Sequence, residues 1–264
     1  MDNEIILRLG AFLALFALFA ALEALLPRRV RALPAWRRWP TNWAMVLLAN
    51  ALLRRMALAL PLRAIGAALD AAARGWGLFN LLGWSLWVTI PLSVIIFDFL
   101  IWLQHLLTHR IPVLWRLHRV HHADRDLDVT TAIRFHPLET GLSMLYRIAL
   151  VYLLGPPAVA ILVFEVLLNG TAMFNHANLR LPDRLDRVVR LVLVTPDMHR
   201  VHHSVHRDEH DTNFGFALSV WDRLFRTYRA QPRDGHDGME IGLEWRDEAP
   251  ARLGWSLALP LRKL

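Results

Sequence analysis

The chain contains no cysteine and a single lysine, Lys263. Without a thiol it forms no disulfide, holds no thiolate-ligated zinc and carries no cysteine-bound iron–sulfur cluster. With one lysine, the net charge of +7 rests on arginine. Nucleic acid is the usual partner of so basic a chain. Here, however, the arginines stand in blocks beside long apolar runs, where the positive-inside rule and anionic lipid headgroups account for them, so no nucleic-acid partner is expected. A Gly-rich dinucleotide fingerprint, an HExxH pair, internal repeats and low-complexity tracts are missing as well. The sequence therefore offers neither a nucleotide-borne source of electrons nor the usual zinc-hydrolase pairing of ligand and base.

What is abundant is apolar sequence, at 55% of residues, more than a soluble enzyme usually carries. Ile5 to Leu26 is long enough to cross a bilayer as a helix. The acidic residues before it and its length argue for a retained span rather than a cleaved signal peptide. RRVRALPAWRR (28–38) then marks the cytoplasmic side, with Trp36 and Trp39 at headgroup level. Asn42 to Leu62 is expected as a second span, although Arg54 and Arg55 near its middle each cost about 2.5 kcal/mol or more unless they face other helices or snorkel. Leu81 to Leu103 is a third span and contains Asp98. Leu142 to Phe174 is broken by Gly155-Pro156-Pro157 into two short arms, which predicts a membrane hairpin. In such a hairpin Arg147 and Glu165 lie at equal depth and neutralise each other, and His136 and His176 meet at its base. The expected fold is an all-α integral membrane bundle of about four spans, the last a Gly-Pro-Pro hairpin, under a cytosolic helical cap. Residues 1–104 form the N-terminal transmembrane part, 105–230 the histidine-rich region including the hairpin 142–175, and 231–264 a cytosolic tail. The preference for arginine over lysine points to a bacterial inner membrane.

Twelve of the thirteen histidines fall between residues 105 and 210. They form His105-x3-His109, the pentapeptide HRVHH at His118, His121 and His122, single His136 and His176, and HRVHH again at His199, His202 and His203. Helical spacings of three and four aim two or three imidazoles of each motif at one region. Neutral imidazole ligates iron, zinc, copper and nickel. One ion takes about four to six ligands, so this inventory exceeds one ion and predicts two metals walled by the two HRVHH copies. His136 and His176, at helix ends, serve equally well as structural hydrogen-bonding groups. His206, His210 and His236 are expected at the surface. Asp98, on the histidine face of the third helix, is expected to accept the second N–H of a ligating imidazole or to pair with Arg54 or Arg55. Glu139, Asp197, Asn175 and Asn178 are lesser candidates for the first of these roles.

These motifs, together with RFHPLE (134–139) and HRVHHSVHRDEHDTNFGFALSVWDRLFRTY (199–228), resemble the fatty acid hydroxylase and sterol desaturase superfamily over about residues 85–230. The resemblance implies two non-haem irons held by His105, His109, His118, His121, His122, His199, His202 and His203, with His136 and His176 as further ligands. It also implies O2 as co-substrate and oxidation of a C–H bond of a membrane lipid, by hydroxylation or desaturation. Zinc can replace iron on purification. Because the chain has no electron carrier of its own, a ferredoxin or cytochrome-type donor is implied, and the arginines around the motifs suit an acidic one. The competing readings are a zinc-dependent membrane hydrolase, which lacks HExxH, and a metal transporter, whose site belongs near the midplane rather than at one end of the spans.

Overall fold

The computed structural model describes residues 2–59, 64–245 and 247–263. Among them the chain is helical, with isolated β-bridges and no strand. Eight helices form the body: α1 (Asp2–Leu25), α2 (Ala35–Ala59), α3 (Ala64–Arg74), α4 (Leu78–Leu82), α5 (Leu86–Arg110), α6 (Pro112–His122), α7 (Pro137–Leu154) and α8 (Ala158–His176). Short helices follow: α9 (Asp183–Val189), α10 (Pro196–His202), α11 (Arg207–His210), α12 (Val220–Leu224), α13 (Gly235–Gly238) and α14 (Leu253–Ala258).

Three segments are long and apolar enough to cross a membrane: Ile6–Leu25, Leu86–Arg110 and Ala158–His176. The third lies on α8, which packs against α5, α1 and α3. Phe97 of α5 and Phe164 of α8 meet there at 5.3 Å between ring centroids, amid Ile101, Ile148, Val151 and Ile161. Away from this core the helices expose Leu13, Leu18, Trp87, Ile95 and Val163, the apolar surface a helix needs where lipid is the solvent.

The expected second span differs from the observed α2. The helix starts at Ala35, and Arg38, Thr41 and Asn42 in its first half are buried against protein. Together with Arg54 and Arg55 near its other end, these polar residues keep α2 off the set of long apolar helices. Arg54 and Arg55 are exposed rather than packed between helices. Residues 60–62 of the expected span lie outside the described residues. The third span starts later than expected, because Gly83 in a left-handed conformation ends α4 before α5 begins.

The hairpin is present, with longer arms than the apolar run suggested. α7 has 18 residues and α8 has 19, because α7 reaches back to Pro137 and α8 continues to His176. The turn between them rests on the α3–α4 connection. Gly77 approaches it so closely that a Cβ there would lie 2.3 Å from the Gly155 nitrogen, and Gly155 itself has φ +63°. Both positions therefore need glycine. Arg147 Nη1 lies 3.9 Å from Glu165 Oε1, as equal depth requires, and Arg8 of α1 reaches Glu165 Oε2 at 2.7 Å.

At the opposite end of the hairpin the loop 123–135 is braced by buried charge. Arg38 donates from Nε and Nη2 to the two oxygens of Asp124, each at 2.7 Å, and from Nη1 to Asp128 at 2.6 Å. Burial raises the Asp124 pKa, but the charge and hydrogen bonds of Arg38 outweigh it and hold the carboxyl at about 2. Arg134 donates to Asn42 Oδ1 (2.8 Å), the Val120 carbonyl (3.0 Å) and the Pro250 carbonyl (2.7 Å). Glu23, near the end of α1, accepts from the Val129 and Asn178 amides, both at 3.0 Å. The C-terminal segment joins the same body, since Leu243 and Leu259 pack with Met45 and Val120. One face of the site is thus fixed to α1, α2 and α8 together.

Candidate metal centre

The end of α5 carries His105 and His109. One residue later Pro112 opens α6 at a position where its missing N–H costs nothing, and α6 lies against α5 with His118, His121 and His122. α8 contributes His176 in its last turn. α10 contributes His199, His202 and its C-cap His203, and starts on Thr195, whose hydroxyl accepts from the Met198 amide at 3.3 Å. All of these histidines except His136 fall into two buried groups. His105, His109, His118, His122 and His202 form the first, and His121, His176, His199 and His203 the second. Within each group the ligand atoms lie within 4.8 Å of one another.

Hydrogen bonds fix the tautomers. Carbonyl and carboxylate oxygens only accept, so an imidazole nitrogen that meets one must carry the hydrogen. His105 Nδ1 donates to the Phe214 carbonyl (2.7 Å), His109 Nδ1 to Asp211 (3.2 Å), His118 Nδ1 to Glu139 (2.6 Å) and His202 Nδ1 to the Thr212 carbonyl (2.7 Å). Each of these rings, when neutral, therefore points an Nε2 lone pair at the others. His105 Nε2 and His118 Nε2 face each other at 3.1 Å, two acceptors with no proton to share. In the second group His176 Nδ1 donates to the Ala172 carbonyl at 2.7 Å, and its Nε2 stands 3.1 Å from His121 Nε2 and 3.0 Å from His199 Nε2. Further ring nitrogens are buried without any partner: Nε2 of His109, His122 and His202, Nδ1 of His121 and His199, and both nitrogens of His203.

Orphaned donors and acceptors on this scale cost about 1–3 kcal/mol each in a dry interior. A cation among the lone pairs removes that cost. Adjacent ligands at right angles around metal–nitrogen bonds of about 2.1 Å would be about 3.0 Å apart, close to the observed 3.0–3.1 Å. Burial, and then the neighbouring imidazoles, pull the pKa values of His121, His122, His199 and His203 well below the ordinary histidine value. The same causes act on His202. These rings are neutral at pH 7, the state that ligates metal. Both groups can hold a metal ion.

Other predicted residues are placed differently. His136 stands apart from both groups and does not meet His176; it caps α7, accepting from the Leu138 amide at 3.2 Å, and its Nε2 lies 3.3 Å from the Leu257 carbonyl. Asp98 meets neither an imidazole nor Arg54 or Arg55. It accepts from Trp221 Nε1 at 2.8 Å and from the Leu218 amide at 3.2 Å, tying α5 to the C-terminal part of the site. Asp197 pairs with Arg28 and Arg200, Asn175 donates to the Phe216 carbonyl and Asn178 binds the Arg29 backbone. Of the lesser candidates only Glu139 reaches a histidine of the two groups. His206 is partly exposed and pairs with Asp234, but His210 and His236 are buried, contrary to expectation. His210 stacks on Trp115 at 5.4 Å, and His236 lies 3.8 Å from Asp197.

Sequence reasoning missed Asp211, Thr212, Phe214 and Asp222. Asp222 accepts from the Phe214 and Gly215 amides (both 2.9 Å), Trp102 Nε1 (3.0 Å) and Thr227 (2.7 Å), so it sets the Phe214 carbonyl that orients His105. Asn213, at φ +52°, holds the same turn by donating to the Met198 and Arg229 carbonyls at 2.8 Å. The NFG and WDRLF stretches within the segment 199–228 that carries the resemblance were the available signal.

Comparison with known proteins agrees with this geometry. Residues 90–227 match the family model described as fatty acid hydroxylase. The chain is 33% identical over 154 residues to ornithine lipid hydroxylase OlsE of Rhizobium tropici, covering 57% of this chain and 44% of that protein. It is 30% identical over 138 residues to human alkylglycerol monooxygenase (51% and 29% covered) and 27% identical over 145 residues to rat cholesterol 25-hydroxylase (54% and 47% covered). The matched segments span less than half the length of these relatives. No solved structure matches the chain. With its histidine motifs inside a match over residues 90–227, the chain belongs to the fatty acid hydroxylase family.

Proposed function

We propose that this chain is a membrane oxygenase that holds two irons, one in each histidine group, and uses O2 and external electrons to oxidise a C–H bond of a lipid. The observation that carries the reading is the pair of adjoining, buried imidazole groups, in the first of which the Nε2 lone pairs of His105 and His118 face each other with no proton between them. Bound iron would supply O2-dependent attack on an unactivated C–H bond, which no side chain performs. The named relatives are hydroxylases and monooxygenases, which favours oxygen insertion over desaturation.

The chain's own residues orient ligands and exclude water. Glu139, Asp211 and the Phe214, Thr212 and Ala172 carbonyls lock the rings through Nδ1. Phe135 stacks on His121 at 4.4 Å and Phe214 lies 5.1 Å from His109, closing the groups on sides where water would compete. Phe216 touches His105 at 5.0 Å and also packs against the core of α5 and α8. A lipid tail entering from that core would reach the imidazoles beside Phe216. Placing the histidines at the ends of α5 and α8, rather than mid-span, favours this reading over transport. The arginine blocks at the same end support a site on the cytoplasmic side, in a bacterial inner membrane, open to an acidic ferredoxin or cytochrome-type donor.

The test is metal content and O2-dependent product formation of the detergent-purified protein from iron-replete cells, beside His121→Ala and His122→Ala. These adjacent residues belong to different groups, so each variant should keep about one iron and lose lipid oxidation. If wild-type protein, reconstituted with iron and a reductant, takes up no O2, the oxygenase reading fails. Retention of zinc alone would then favour a hydrolase.

A further inference from the structure

Where α1 ends, on the histidine side, residues 26–34 form a loop around a pocket of about 430 Å³ lined by Arg28, Arg29, Arg31, Pro34 and Asn178. The loop is held rigidly. Arg28 N donates to the Asn178 carbonyl and Arg180 N to the Leu26 carbonyl, both at 2.9 Å. The Asn178 side chain accepts from Arg29 N at 3.1 Å and donates to the Arg29 carbonyl at 2.8 Å. Asp126 accepts from the Ala32 and Leu33 amides.

The three guanidinium groups are not equivalent. Arg28 is neutralised by Asp197 and Asp237, and Arg31 by Glu23 and Asp128. Among the described residues Arg29 has no carboxylate within ion-pair distance, and its Nη1 is buried without a hydrogen-bond partner. A prebuilt pocket with one cation in no direct ion pair is suited to an anion with several acceptor oxygens. Its place in the fold narrows the source. The rim carries Val30, 97% exposed, and the following helix carries Trp36, 69% exposed, immediately after a membrane-length helix, where apolar side chains and a tryptophan sit at headgroup depth. We propose that this pocket binds the phosphate of one anionic phospholipid headgroup in the leaflet on the histidine side. The inference rests on the loop alone and stands whether or not the histidines hold iron.

The test uses the full chain in detergent and counts retained lipid by native mass spectrometry. Short-chain phosphatidylglycerol, phosphatidylcholine with the same chains, and inorganic phosphate are the probes. Wild type should retain one phosphatidylglycerol in preference to phosphatidylcholine. Arg29→Gln should weaken retention about fivefold, Arg29→Lys should restore most of it, and Arg184→Gln, an exposed control on α9, should change nothing. Equal retention by wild type and Arg29→Gln, or by the two lipids, overturns the proposal. Displacement of phosphatidylglycerol by millimolar phosphate also overturns it, assigning the pocket to the free anion.

Discussion

Glu139 offers the sharpest test of how this chain would hold metal. Its Oε1 accepts the His118 Nδ1 hydrogen at 2.6 Å, and its Oε2 is buried without a partner. Glu139→Gln keeps the shape and one acceptor but removes the charge that makes this bond strong, and it places an amide N–H₂ where no acceptor waits. A charge-assisted hydrogen bond contributes about twice what a neutral one does, and the difference of about 1 kcal/mol corresponds to a five- to tenfold weaker metal affinity. Glu139→Ala goes further, leaving the His118 N–H unpaired in a dry site, and should approach the hundredfold loss typical of removing such a partner. His118 belongs to the first group only, so the second group should be spared. The assay is iron retained per chain after equilibration with chelators of graded strength, with Glu248→Gln at the exposed Arg37 pair as control. The expected order is wild type, then Gln, then Ala, with about one iron held tightly throughout. Retention equal to wild type in both variants would refute the argument. So would parallel loss of both irons from a folded protein, because the groups would then not be separate.

Other expectations follow from burial. In metal-free protein, His121, His122, His199, His202 and His203 have folded pKa values depressed well below the unfolded value of about 6.5. The unfolded chain therefore takes up protons that the folded one refuses, and stability falls as pH drops below about 6.5, by about 1.4 kcal/mol per pH unit for each fully titrating ring. Metal-free protein should melt at clearly lower temperature at pH 5.5 than at pH 7.5; equal melting would show the rings accessible to protons while folded. His203 has both ring nitrogens buried without a partner, so His203→Leu should stabilise the metal-free protein by about 1–3 kcal/mol while abolishing one tight metal site. A lower melting temperature for the metal-free variant would contradict this. Arg38→Gln strands Asp124 and Asp128 and should cost about 3–5 kcal/mol, read as loss of folded protein by thermal melting or proteolysis; a wild-type melting curve would show the brace to be idle.

The histidine groups were legible because helical spacing is a local property: residues three and four apart share a face wherever the helix goes. The pairing of Arg147 with Glu165 was legible for the same reason, being fixed by equal distance from one turn. What escaped was whatever depended on distant chain. Asp98 lies on the expected face of α5, but Trp221 and Leu218, more than a hundred residues later, arrive to occupy it. His136 reads as a ligand in sequence, yet it precedes Pro137 and serves as the cap of α7. Periodicity also could not show that the polar start of α2 is buried by the aspartates of the loop 123–135. The apolar count there describes a span, while the salt bridges describe a brace.

The repeated pentapeptide has a geometric explanation in the grouping. On a helix the first and fifth residues of HRVHH lie about 40° apart, and the fourth lies about 60° to the other side of the first. In α6 the first and fifth positions, His118 and His122, enter the first group, while the fourth, His121, crosses to the second. In α10 the assignment reverses: His199 and His203 enter the second group and His202 crosses to the first. The same element thus serves both groups from opposite directions, each copy giving two rings to its own group and one to the other. His105 and His109 complete one side from the end of α5, and His176 completes the other from the end of α8, which leaves five rings in one group and four in the other. Such an exchange holds α6 and α10 in register, because a slip of either helix by one residue would carry its rings about 100° around the axis and withdraw nitrogens from both groups at once.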